Sequence, residues 1–205
     1  MKYIIMCGCN PKQERPKHLI VIDGEEIIAR TIRLLQENGI DDICLTTAHP
    51  AFKKFGLPIL THDNPFYTSG RYWVDGFYPT SEPVCYIMGD VFFSPEAIRR
   101  IVEVETDDVQ FFASSPPFGK YYPKQYAEPF AFKVCNQEHF QSAIKEVRRL
   151  CDAGKFGRHP IAWELWQVVK GTQINNIIFN NYCEINDYTC DIDSESEINQ
   201  WRMKK

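Results

Sequence analysis

Short apolar runs alternate with longer stretches of helical period along most of this chain. Tyr3 to Met6 is the first run and predicts a strand, and Leu19 to Ile22 is the second, closed by a turn at Asp23-Gly24. From Glu25 to Asn38 the spacing predicts an amphipathic helix, with Ile28, Ile32 and Leu35 on one face and Ile27, Thr31 and Leu34 beside them. Asp23 is its expected cap, Glu26 follows three residues on, and Gly39 is the expected stop. Asp42 to Thr46 predicts a third strand, Ala51 to Phe55 a brief helical piece, and Pro58 to Leu60 a short fourth strand. Pro83 to Met88 is the clearest buried strand, and it ends in Gly89-Asp90. Ser94 as cap and Pro95 at the first helical position then open a helix.

Val109 to Ala113 and Phe130 to Val134 predict two more strands. Gln137 to Cys151 is a helix carrying Phe140, Ile144, Val147 and Leu150 in periodic spacing, and Ala162 to Val169 is another. Ile177 to Phe179 and Tyr182 to Ile185 are late apolar runs, and Ser194 with Glu197 forms the capping box of a terminal helix. Residues 63–80 are rich in aromatics and turn formers and predict a helix that lays its aromatics on the sheet. Strands alternating with helices predict βαβ units. The expected architecture is an α/β fold, a three-layer α/β/α sandwich with a central, mainly parallel mixed sheet, in one domain spanning 1–205.

Composition narrows the function classes. A net charge of −4 argues against a general nucleic-acid binder, so the basic cluster Lys12, Arg15 and Lys17 is local and suits a few phosphates. No apolar run reaches the length of a membrane span, and Tyr3 to Cys9 is too short for a signal peptide, so a cytoplasmic protein with no membrane partner is expected. The eight cysteines include no C-x-x-C pair and are expected to be reduced and structural, with Cys7 and Cys9 the two placed to be reactive. The five histidines show no metal spacing; His62, beside Asp63, could line a site but is better read as structural. Trp163 and Trp166, three apart on a helix, belong to the core in preference to an acceptor pocket.

A strand, a cation-bearing loop and a helix make the usual anion-binding unit of an α/β protein, and here they occupy Lys2 to Gly39. Asp90 follows a buried strand and so lies at the carboxyl edge of the sheet, where open α/β folds bind ligands. Asp191-Ile192-Asp193 alternates, which puts both carboxylates on one side of an extended segment. Each carboxylate could instead be a capping or solvated turn residue.

Pro16-Lys17, Leu19, Asp23-Gly24 and the helix after them resemble the N-terminus of the GT-A-type nucleotidyltransferases, the sugar-phosphate, phosphocholine and molybdopterin nucleotidyl transfer enzymes. VCYIMGDVFFS resembles their strand-then-Gly-Asp signature, and Asp191-Ile192-Asp193-Ser194 resembles their late metal-binding segment. The glycine-rich loop departs: CGCNPKQER keeps Gly8 but lacks the second glycine and the Ser/Thr-Arg pair, and it is several residues short. The resemblance implies transfer of a nucleoside monophosphate from a nucleoside triphosphate to a phosphorylated small-molecule acceptor, with loss of pyrophosphate. It implies Mg2+ on Asp90 and Asp193, with Asp191 in support, and Lys17 as the catalytic cation on the phosphates. Gly8, Asn10, Lys12, Arg15 and Ser69 are the expected nucleotide contacts, and Lys120 and Lys124 the expected acceptor contacts. Two other readings stand beside it. A GT-A glycosyltransferase normally carries a D-x-D after its middle strand, where this chain has Asp90 alone, and the shortened loop also suits a non-catalytic nucleotide-binding module.

Overall fold

The computed structural model describes residues 1–9, 12, 14–61, 73–114, 127–156, 160–174 and 177–202, the last four by backbone alone. In chain order the strands are β1 (Lys2–Met6), β2 (Val21–Ile22), β3 (Glu25–Glu26), β4 (Ile43–Thr46), β5 (Ile59–Leu60), β6 (Val84–Met88) and β7 (Val91–Phe92). They continue with β8 (Val109–Ala113), β9 (Pro129–Val134), β10 (Cys183–Glu184) and β11 (Cys190–Asp191). The α-helices are α1 (Ile27–Glu37), α2 (Pro95–Glu103), α3 (Gln137–Asp152), α4 (Ala162–Val169) and α5 (Glu195–Arg202). Among the described residues, seven strands make one sheet in the order β10-β8-β9-β6-β1-β4-β5. All neighbours are parallel except those of β9, which runs against both β6 and β8.

Both faces of the sheet are covered. Tyr86, Phe132 and Phe111 share one register row, so their side chains share one face. Phe140 of α3 packs on Tyr86 and Phe132, and Trp163 and Trp166 of α4 pack on Phe111. Lys133, next along β9, therefore points to the other face. There its ammonium donates to the carbonyls of Val102 and Val104 at the end of α2, and α1 packs against that helix. The expected α/β sandwich with a mainly parallel sheet is the observed one. Both tryptophans are core residues, 2% exposed, and each indole donates to a backbone carbonyl, of Ala127 and Asn180.

Two local expectations change. Asp23 and Gly24 both take positive φ (+53° and +87°) and form the tight turn of the β2–β3 hairpin. That hairpin occupies 21–26, so α1 begins only at Ile27, with Glu26 at its N-cap making no side-chain capping bond. Asp23 is thus a turn residue and not the helix cap. Of the two late apolar runs, the first leaves Ile178 and Phe179 45% and 39% exposed, and the second supplies Cys183–Glu184 to the sheet edge. The box at the start of α5 is shifted by one residue: the Glu197 carboxylate accepts from the backbone N–H of Asp193, one residue before Ser194. In the aromatic stretch, the described part places Trp73 and Phe77 against each other, and Phe77 against Tyr86 and Phe132. Among the described residues no helix is long and apolar enough to cross a membrane.

Candidate active site

β1, β4 and β6 are parallel neighbours that end together at Met6, Thr46 and Met88. Two backbone bonds carry the ladder past their ends, Cys7 N–H to Thr46 O at 3.0 Å and Gly89 N–H to Met6 O at 3.1 Å. Gly89 is required by that close approach. A Cβ there would lie 2.5 Å from Met6 O and 3.0 Å from both Cys7 Sγ and His18 Cδ2. The next residue, Asp90, emerges from the middle of the sheet at its carboxyl edge, with its side chain 25% exposed.

The C-terminal segment returns to the same point because β11 pairs antiparallel with β7, placing Asp191 opposite Val91. Ile192 N–H extends this pairing to Asp90 O at 3.1 Å. A polar knot fixes the register from below: Ser94 Oγ donates to Asp187 at 2.5 Å, Thr189 N–H donates to the same carboxylate, and Ser94 N–H donates to Thr189 Oγ1. Ile192 is fully buried, so alternation leaves Asp191 and Asp193 on the side of Asp90. One carboxylate oxygen from each of Asp90, Asp191 and Asp193 lies within 4.8 Å of the others.

Lys17 enters from the opposite side. Pro16 precedes a short 3₁₀ turn over Lys17–Leu19, closed by Leu19 N–H on Pro16 O and Ile20 N–H on Lys17 O. The turn directs the Lys17 ammonium to Asp90 Oδ2 at 2.6 Å and Asp193 Oδ1 at 2.7 Å. Burial pulls the lysine pKa down, but Asp90, Asp191 and Asp193 outweigh it and hold the ammonium well above its ordinary value. For Asp90, burial pushes the carboxyl up, but Lys17 and His18 beside it bring it below the usual carboxylate range. Three carboxylates face one ammonium, a surplus of negative charge suited to a divalent ion. The donors are all oxygens and nearly close enough to share one ion with ligand distances of about 2.1 Å, which fits Mg2+.

His18 is a site neighbour that carries no signal in the sequence. It is 1% exposed, its ring meets Phe52 edge-on at 5.7 Å, and its Nδ1 has no hydrogen-bond partner among the described residues. Burial drives its pKa down from 6.5 to about 4, opposed by Asp90 and reinforced by Lys17. The unfolded chain takes up a proton near pH 6.5 and the folded one does not until about pH 4, so stability falls as pH drops through that window. Between pH 7 and 5 the loss is about 2 kcal/mol by that linkage. Urea denaturation of the wild type and of His18→Gln, without divalent ions, checks it: the wild-type stability should fall more steeply, and parallel curves would refute the assignment. Asp90 does not interfere, because its depressed pKa confines its own contribution to pH below 3.8.

Of the remaining expected contacts, three lie in the described residues. Gly8 lies between Cys7 and Cys9 on the loop after β1, and Lys12 is exposed farther along it. Arg15 pairs with Glu195 of α5 at 2.5 Å, both side chains being more than half exposed. Asn10, Ser69, Lys120 and Lys124 lie outside the described residues, as does His62. The structure therefore brings together Lys17, Asp90, Asp191 and Asp193, and sets Arg15 against the helix that follows them. Cys7 and Cys9 are not poised nucleophiles. Both are buried, burial raises both thiol pKa values, and the Thr47 hydroxyl only partly opposes this at Cys9. All eight cysteines are free thiols.

No protein-family model and no curated protein sequence matches the chain. Solved structures do match. The inositol-1-phosphate CTP transferase from T. maritima superposes with a TM-score of 0.58 at 15% identity, over 98% of this chain and 94% of that one. The CTP:phosphocholine cytidylyltransferase from Streptococcus pneumoniae superposes with a TM-score of 0.52 at 14% identity, over 100% of this chain and 99% of that one. At these identities the likeness shows the fold alone, a three-layer α/β/α sandwich shared with those two structures.

Proposed function

We propose that the chain is a Mg2+-dependent nucleotidyltransferase that moves a nucleoside monophosphate from a nucleoside triphosphate to a phosphorylated small-molecule acceptor. The observation that carries this reading is the convergence of Asp90, Asp191 and Asp193 around Lys17, at the carboxyl edge of β1, β4 and β6. The fold's likeness to enzymes that transfer CMP to phosphorylated small molecules supports it.

In this reading an oxygen of the acceptor phosphate attacks the α-phosphorus, the bond from that phosphorus to the bridging oxygen breaks, and pyrophosphate leaves with the electron pair. Asp90, Asp191 and Asp193 would hold Mg2+, which when bound supplies Lewis-acid stabilisation of charge on the α-phosphate oxygens. Lys17 contributes a mobile cation that follows the charge developing on the phosphoryl oxygens. The loop from Gly8 to Lys12 contributes backbone donors and a cation for the triphosphate, with Arg15, Asn10 and Ser69 as further nucleotide contacts. Lys120 and Lys124 are assigned to the acceptor phosphate. Little covalent chemistry falls to the protein, whose work is to align two anions that repel each other. Eight free thiols suit a reducing compartment, and we place the protein in the cytoplasm.

Incubating the protein with each nucleoside triphosphate, Mg2+ and a panel of phosphorylated sugars, polyols and phosphocholine tests the reading. Pyrophosphate release should require one triphosphate, one acceptor and Mg2+ together. Release of a sugar from a nucleotide-sugar donor would favour a glycosyltransferase, and nucleotide binding without turnover a non-catalytic module.

A further inference from the structure

The oxygens of Asp90, Asp191 and Asp193 lie within 4.8 Å of one another, which leaves room for one small cation among them. The Lys17 ammonium already sits there, 2.6 Å from Asp90 and 2.7 Å from Asp193. A divalent ion bound by the same oxygens could not share that position with an ammonium. Lys17 is nevertheless able to leave it. Its side chain is 32% exposed and its flexible stem rises from a turn closed by backbone bonds alone, so the ammonium can swing without unfolding anything. Arg15 is engaged in the same way, on Glu195, two residues beyond Asp193. In this state two of the loop's cations are turned toward the C-terminal acids.

We propose, building on the nucleotidyltransferase reading above, that Lys17 is a transferable cation. It sits among the three carboxylates when no divalent ion is bound, and the arriving ion displaces it toward the triphosphate. The ion and the triphosphate are then coupled through one side chain: each binds better once the other is present, because the ion removes what holds Lys17 and the phosphates receive it. Free triphosphate without a divalent ion meets carboxylates whose surplus negative charge repels it, which favours metal-first order.

Mn2+ alone is the direct probe, followed by the loss of its free-ion EPR signal in wild type, Lys17→Met and Lys17→Gln. The neutral glutamine keeps an amide donor for the carboxylates and serves if the methionine variant does not fold. Removing the ammonium should tighten Mn2+ binding at least tenfold in the folded variants, although a cation has been deleted from the site. With Mn2+ saturating, inorganic tripolyphosphate should bind at least tenfold more weakly to the same variants. Mn2+ affinity equal to or below that of wild type would overturn the displacement and leave metal-dependent transfer standing. Absence of Mn2+ binding in all three proteins would overturn both. Unchanged tripolyphosphate affinity would overturn the release of Lys17 to the phosphates.

Discussion

Asp90→Asn should slow pyrophosphate release about a thousandfold or more while the protein stays folded. Asparagine keeps the shape of the side chain and removes its charge. The carboxylate it replaces lies at the convergence of the Lys17 ammonium and the two aspartates of the C-terminal segment. Charge stabilisation by a bound divalent ion is worth several kcal/mol, and about 1.4 kcal/mol is one decade in rate, so three decades is the expected scale. Asp193→Asn should cost less, about one to two decades by the same scale, because that side chain is 46% exposed and water can replace part of what it offers. Melting curves close to wild type would show that the loss is chemical. A rate within tenfold of wild type for Asp90→Asn would remove Asp90 from the machinery.

Gly89→Ala should cost about 3 kcal/mol or more in folding stability, at the upper end of single substitutions. The added Cβ would stand 2.5 Å from Met6 O, a backbone atom that accepts the hydrogen bond of Gly89 itself, so relief requires opening the β1–β6 junction. Cys7 Sγ and His18 Cδ2, each at 3.0 Å, close the other exits, and both belong to fully buried side chains. Since Asp90 is the next residue, whatever yields also moves the carboxylate. The urea midpoint should drop with an unchanged slope, and a stability change below about 1 kcal/mol would contradict the packing described here.

Much of this site is readable along the chain because it is made from local patterns. PVCYIM is apolar without alternation, as a strand buried on both faces must be, and the Gly-Asp at its end marks the sheet edge. Asp191-Ile192-Asp193 declares its own two-sidedness, and Ile192 is indeed fully buried. What escapes the sequence is contact between distant segments. Nothing local says that β9 runs against its neighbours, nor that Lys17 would lie between Asp90 and Asp193. His18 carries no spacing signal; its burial, with Phe52 and Gly89 against it, is what keeps the imidazole neutral. Asp23 is misleading for a related reason. Asp-Gly serves a hairpin as well as a helix start, and the strands it joins are two residues each, one of them Glu25-Glu26, with no apolar alternation to reveal it.

In the proposed reaction this edge of the sheet joins an α-phosphorus to the phosphate of an acceptor. ³¹P NMR of the complete reaction, with the triphosphate and acceptor pair that supports pyrophosphate release, tests it most directly. A pair of mutually coupled phosphorus signals from a new diphosphate diester should appear together with pyrophosphate, both absent without Mg2+ and in Asp90→Asn. Orthophosphate and nucleoside diphosphate in place of those signals would mean attack at the γ-phosphorus, and would contradict it.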